Sequence, residues 1–233
     1  MKDCSHCVVR NRAVCAGLEP DELEALGQLG RKQHVLKGQT VVWEGDDALI
    51  VANVIEGVLK VSMSIADGRE QIVGVVFPSD FIGRPFGKQT PYGVTALTDA
   101  ELCIFSRATF DQFARKHPEL EHKLLRRTLD ELDKSREWML LLGKKTATER
   151  IATLLLEISD RLGETGCSAE QAKLDRFELP LDRQQMGDLL GLTIETVSRQ
   201  LSRLKADGVI ALPDRKMVYI QDRPRLQDLA AAA

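Results

Sequence analysis

The stretch Leu181–Asp207, LDRQQMGDLLGLTIETVSRQLSRLKAD, decides how the rest of the chain is read. Its apolar positions Met186, Leu189, Leu190, Leu192, Val197, Leu201 and Leu204 recur at helical spacing and divide into two groups at Gly191. Small Gly187 lets two helices approach, Gly191 permits a tight turn, and Thr193 stands as the cap of the second helix with Thr196 three residues on. The spacing predicts a helix-turn-helix. Asp207-Gly208 stops the second helix, and Val209-Ile210 and Met217–Ile220 then read as two strands around Pro213-Asp214-Arg215-Lys216, a wing.

At the start of the second helix, Glu195, Ser198 and Arg199 fall at i, i+3 and i+4 and share one face. Such a face fits the major groove of double-stranded DNA. Arg forks onto guanine O6 and N7, Glu accepts from cytosine N4, and Ser bonds a base edge or a phosphate. Thr193, Arg203, Lys205, Arg215 and Lys216 are placed for phosphates, which set register without reading sequence. Leu181–Arg225 holds 8 Lys/Arg against 6 Asp/Glu, a small cationic surplus in a chain whose net charge is −3. Taken alone, Glu195 and Arg199 read as an ordinary i,i+4 ion pair; the surrounding motif turns that reading toward DNA.

Outward from this unit, 233 residues at 43% apolar composition are enough for a folded chain of more than one domain. The net charge of −3 provides no global field to recruit a polyanion, so a nucleic-acid site must be local. No apolar run approaches the roughly 18 residues that span a bilayer, and Met1-Lys2-Asp3-Cys4 lacks an export stretch, so a cytoplasmic chain with no membrane partner is expected. No phosphate loop, nucleophile elbow or metal-hydrolase histidine spacing is present, which argues against an enzyme.

The expected fold class is α+β. From Leu18 to about Ser106, short Val- and Ile-rich stretches such as Thr40–Trp43, Leu59–Met63, Gln71–Phe77 and Ala100–Phe105 alternate with glycines, the pattern of an antiparallel sandwich or roll. Pro118–Leu142 reads as one long helix. Leu125, Thr128, Leu132, Ser135, Met139 and Leu142 step along it by three and four, a seam suited to a second copy, with charged residues crowding the other faces. The expected organisation is a cysteine-rich segment 1–17, a roll 18–114, a dimerisation helix 115–145 and a winged helix-turn-helix 146–233. The closing run Ala230–Ala233 reads as a frayed end.

Five cysteines in a reducing compartment argue against a disulfide framework. Cys4, Cys7 and Cys15 form C-x2-C-x7-C, too many thiols within twelve residues to be core filler. Thiolates are soft ligands, suited to tetrahedral zinc or to an iron-sulfur cluster. The fourth ligand is Cys103, or Cys167 in the loop of the last domain; His6 or His34 would complete a zinc site. In isolation, Cys103 in Leu102-Cys103-Ile104-Phe105 is a small buried strand residue, and Cys167 a structural one. Cys-x-x-Cys by itself also fits a thiol-exchange module.

With roll, long helix and winged head in this order, the chain resembles the cyclic-AMP receptor protein and fumarate-nitrate reduction regulator superfamily over nearly its whole length. Glu195-x-x-Ser198-Arg199 is similar to the oxygen-sensing fumarate-nitrate (FNR-type) branch. The resemblance implies a double-stranded β-helix roll of the cyclic-nucleotide-binding kind, a homodimer, RNA polymerase as a partner, and a TTGAT-N4-ATCAA palindrome as target. It further implies a 4Fe-4S cluster on Cys4, Cys7, Cys15 and Cys103, which orders a segment otherwise poorly ordered. No cyclic nucleotide is expected: Gly83 is followed by Arg84-Pro85, and Gln89-Thr90-Pro91-Tyr92 lacks the Arg-Ser pair that holds the phosphate in that family. The chain departs from the branch at Ser135, where an acidic seam residue is common.

Overall fold

The computed structural model describes residues 4–163 and 173–231. They form two compact units that part between Asp130 and Glu131, inside the long helix.

The first unit opens with a 3-10 turn Cys4–His6 and then carries α1 (Pro20–Leu29), β1 (Arg31–Val35), β2 (Thr40–Val42), β3 (Ile50–Glu56), β4 (Leu59–Ser64), β5 (Glu70–Val76), β6 (Phe81–Gly83), β7 (Gly93–Ala96), β8 (Ala100–Ser106), α2 (Arg107–Ala114) and α3 (Pro118–Lys144), which runs on into the second unit. Pro20 starts α1, where its missing N–H costs nothing, and the Glu22 carboxylate accepts from Glu19 N at 3.0 Å. Two antiparallel four-stranded sheets, β1-β8-β3-β6 and β2-β7-β4-β5, make the expected roll. Between them lie Val54, Leu59, Ile82, Val94, Leu102 and Ile104.

The outer face of β1-β8-β3-β6 is also covered. Val51 and Phe105, alternating with the inward residues, pack against Leu23 and Leu26 of α1, Phe110 and Phe113 of α2, Leu120 and Leu124 of α3, and Val14. β3 is therefore buried from Val51 to Ile55, in keeping with its run IVANVI, apolar except for Asn53. The turn leading into β6 holds Ser79, buried and at φ +80, between Phe77 and Asp80, whose Oδ2 accepts from Phe77 N at 2.9 Å.

The second unit contains α4 (Ala147–Gly163), β9 (Arg176–Glu178), α5 (Arg183–Leu190), α6 (Ile194–Ala206), β10 (Ile210–Ala211), β11 (Met217–Ile220) and α7 (Arg223–Ala231). The wing is three-stranded, in the order β10-β11-β9, one strand more than the sequence reading expected. Only pairing with β11 makes a strand of so short a segment, burying Phe177 beside Val218. The C-terminal run is not frayed at Ala230, which is buried at the end of α7 and whose carbonyl accepts from Lys145 Nζ at 2.6 Å. Arg223 starts α7 and donates to Asp175, Asp160, Leu174 O and Ser159 Oγ.

Two positions in the first unit test the backbone directly. Gly57 has φ +87, and a Cβ there would lie 2.4 Å from Asp99 O, so Gly57→Ala is expected to cost about 2–4 kcal/mol. Ser79→Gly relieves a left-handed residue and is expected to stabilise by about 1 kcal/mol. Urea denaturation of both variants checks the opposite signs.

Candidate cysteine centre and nucleic-acid interface

Cys103 lies on β8 opposite Lys32 of β1 and Asn53 of β3. Its side chain is on the covered outer face of the sheet, half-buried, rather than in the interior of the roll. Cys4, Cys15 and Cys103 pack against the cluster that includes Val14, Val51 and Phe105, while Cys7, Cys15 and Cys103 pack against Val9, Ala13 and Ile55. The sheet face thus brings together the four cysteines that the sequence singled out, none of them in a disulfide. Burial, reinforced by nearby Cys7, pushes the Cys15 thiol up to about 11; Cys4 adds to the rise, and Arg127 opposes it.

The N-terminal segment packs against the sheet through residues of its own. Val9, Ala13 and Val14 are buried, and Val14 N donates to Asn53 Oδ1 at 3.4 Å. Each buried Val contributes roughly 1.5–3 kcal/mol. Among the described residues, no three His, Cys, Asp or Glu side chains close up to hold a single metal ion. A cluster is larger than one ion and takes its thiolates from around a core, and four convergent, half-buried thiols fit that donor set. His6 is exposed, and His34 is exposed on β1, with Nε2 3.9 Å from Glu101. Cys167 lies outside the described residues.

In the second unit, the helix-turn-helix follows from its caps and glycines. Asp182 accepts from Gln185 N at 2.8 Å, while Gln185 Oε1 accepts from Asp182 N at 2.9 Å, a reciprocal cap on α5. Gly191 takes φ +63, and Leu192 N donates to Gly187 O at 3.0 Å. A Cβ on Gly187 would meet Leu192 O at 2.5 Å, so the turn excludes any side chain there. Thr193 caps α6, accepting from Thr196 N at 3.3 Å. Val197, Leu201 and Leu204 are buried, which turns Glu195, Ser198 and Arg199 outward together.

Glu195 and Arg199 are held by separate partners. Arg199 Nη2 donates to Thr196 Oγ1 at 3.3 Å, and the Glu195 carboxylate lies below its usual range through its own backbone N–H and Thr193. Arg203 stands 3.9 Å from Asp207, Lys205 Nζ 3.5 Å from Leu212 O, and Lys216 3.3 Å from Glu178, with Arg215 exposed at the wing tip. Asp214 shapes that tip: Oδ1 accepts from Lys216 N and Met217 N, each at 2.7 Å, and these bonds lower its pKa.

Arg150 was missed by the sequence reading. It donates to Lys145 O at 2.9 Å, Leu142 O at 2.7 Å and Leu190 O at 2.8 Å, and so closes the C-terminal ends of α3 and α5 with one guanidinium. A lone Arg on an amphipathic helix carries no sequence signal of such a role.

On α3, Leu125, Leu132 and Met139 are exposed as the seam required, Met139 at 73%. Thr128 and Ser135 turn their hydroxyls back to Leu124 O and Glu131 O, and Leu142 is half-buried beside Gly191. Leu129 and Leu140, at 51% and 61% exposed, are further exposed apolar residues on this helix. Near the strand end at Gly83, Arg84 and Lys88 line an open groove of about 500 Å³ with Glu44 and Thr90. No described helix is long and apolar enough to cross a membrane.

A β-roll followed by a long helix and a winged helix-turn-helix defines a class of DNA-binding regulator. The chain matches the Crp-like helix-turn-helix domain over residues 149–229 and the cyclic nucleotide-binding domain over residues 32–117. It is 46% identical over 227 residues to the transcriptional activator protein FnrL of Cereibacter sphaeroides, covering 97% of this chain and 91% of that protein. It is 37% identical over 229 residues to the nitrogen fixation regulation protein FixK of Bradyrhizobium diazoefficiens, covering 98% and 94%. The solved structure of FixK2 from Bradyrhizobium japonicum superposes with a TM-score of 0.78 at 33% identity, over 88% of this chain and 98% of that one. The chain belongs to the Crp/Fnr superfamily, on its FNR-type branch, whose members are transcription regulators and not enzymes.

Two measurements check the site geometry. In the metal-free protein, Cys15 stays protonated past the ordinary thiol range, so at pH 8 it is expected to react with iodoacetamide more slowly than a free thiol; mass spectrometry of the modified peptide reads the rate. Arg150→Ala leaves three carbonyls without their cation and is expected to destabilise the second unit by about 3 kcal/mol in chemical denaturation.

Proposed function

We propose that this protein is a cytoplasmic, oxygen-responsive transcription activator that carries a 4Fe-4S cluster on Cys4, Cys7, Cys15 and Cys103. The observation that carries the reading is the convergence of these four thiols, distant in sequence, on one face of β3 and β8. When bound, the cluster supplies an oxygen-labile centre. The four cysteines bind it and pin the N-terminal segment to the sheet, where Val9, Ala13, Val14 and Asn53 already hold that segment. Zinc is the weaker reading, because no described triad of ligands closes on a single ion and both candidate histidines are exposed. A thiol-exchange module accounts for none of the helix-turn-helix.

Leu125, Leu129, Leu132, Met139 and Leu140 form the apolar face through which two copies pair, and Thr128, Ser135 and Leu142 flank it. Pairing presents two α6 helices to successive major grooves of a TTGAT-N4-ATCAA site. Glu195, Ser198 and Arg199 read bases, while Thr193, Arg203, Lys205, Arg215 and Lys216 meet phosphates. RNA polymerase is the further partner, and no cyclic nucleotide is part of the signal.

Anaerobic purification followed by iron, sulfide and visible-absorption analysis tests the cofactor. Stoichiometric iron and sulfide with a band that bleaches in air is expected; a colourless protein with zinc and no sulfide overturns the cluster. For DNA, Arg199→Ala is expected to weaken binding to the TTGAT-N4-ATCAA duplex by about 10- to 100-fold in a gel shift and to relax preference at the contacted base pair. Unchanged affinity removes Arg199 from the reading face.

A further inference from the structure

The side chain of Arg127, on α3, reaches away from its own helix to the N-terminal segment. Its Nη2 donates to the carbonyl of Arg12, between Cys7 and Cys15 in the chain. On the other side, Nη1 lies 3.9 Å from Asp80 Oδ1, with both side chains about a quarter exposed. Asp80 is itself fixed. Its Oδ2 accepts from Phe77 N, its carbonyl accepts from Val54 N, and Ser79 N is bonded to Val54 O, so the turn is stitched to β3. One guanidinium thus joins three parts of the first unit: the loop that carries the cysteines, the sheet beneath it, and the long helix.

The position on α3 adds to this. Arg127 stands within one turn of Leu124, buried against the roll, on the side of α3 away from the exposed pair Leu125 and Leu129 and at the same level along the helix. A shift in the backbone at Arg12 therefore acts on the helix where its apolar face begins. Arg is suited to the task because its planar fork makes two directed contacts at once, which a Lys ammonium on a flexible stem does not hold in a fixed geometry. The bond from Val14 N to Asn53 Oδ1 holds the same segment to the sheet.

We infer that Arg127 is a positioning residue that couples the state of the cysteine loop to self-association along α3, by holding the Arg12 carbonyl while Asp80 fixes the guanidinium. This rests on the cluster reading above and assigns the link between its two halves. It requires no contact between Arg127 and the cluster. The coupling is the ratio of the self-association constants with and without the cluster, which for regulated proteins lies in the range of about 5- to 150-fold.

The test compares wild-type, Arg127→Lys and Asp80→Asn full-length chains, each prepared anaerobically. Iron and sulfide content reports loading, and sedimentation velocity reports association of the loaded and air-treated forms. Arg127→Lys keeps the positive charge and is expected to load iron and sulfide to wild-type content, while the cluster-dependent gain in association falls about tenfold. Asp80→Asn keeps an acceptor for Phe77 N, is expected to lower the gain in the same direction, and serves if the Lys variant loads poorly. A residue that merely supports the fold would lower association of both forms together and leave their ratio intact. Loaded variants with the wild-type ratio overturn this inference alone; a wild type free of iron and sulfide overturns the cluster reading and this coupling with it.

Discussion

Strand β3 is out of water on both faces, and much of the first unit follows from that constraint. Its inward residues Ala52 and Val54 face the second sheet, so Val51 and Ile55 on the other side must be covered from outside the roll. Helices α1, α2 and the start of α3 cover one part, and the N-terminal segment covers the part nearest Cys103. Asn53, buried on the same face, gives that segment a polar anchor. The cysteine centre is thus a consequence of completing a hydrophobic face: the covering segment carries three thiols, and the strand beneath it carries the fourth.

The same arrangement gives the site a physical character. Burial favours the neutral form of the Cys15 thiol, so a cation or cluster bound there would have to provide the charge that stabilises its thiolate. Arg127 and Asp80 tie the N-terminal segment to α3 and the sheet, whereas the second unit keeps its own geometry through the Gly187–Leu192 close approach, the two helix caps and the Arg150 guanidinium.

Legibility in the sequence varied with the range of the interaction. The helix-turn-helix was plain because its determinants are local: a cap, an apolar period and glycines with a reason to be glycine all lie within Leu181–Asp207. The roll was visible as a class from its short Val- and Ile-rich stretches, but β9 was not, since three residues become a strand only by pairing with β11. Along α3 the hydroxyls of Thr128 and Ser135 bond their own helix, and Leu129 and Leu140 are exposed apolar residues that the spacing by three and four did not single out. Ala230 read as a tail because nothing local shows that Lys145 binds its carbonyl.

By itself, the order of residues determined the helix-turn-helix, the long helix and the class of the roll, the shared outward face of Glu195, Ser198 and Arg199, and the presence of an unusual set of thiols. Those features depend on spacing along one helix or on residue chemistry, both of which survive without coordinates. Tertiary structure alone decided that Cys103 joins Cys4, Cys7 and Cys15 on the outer face of the roll, that Arg150 closes two helices, and that Arg127 reaches Arg12, 115 residues away. Each of these depends on which groups a folded surface brings within a few ångströms, and no periodicity along the chain encodes that proximity.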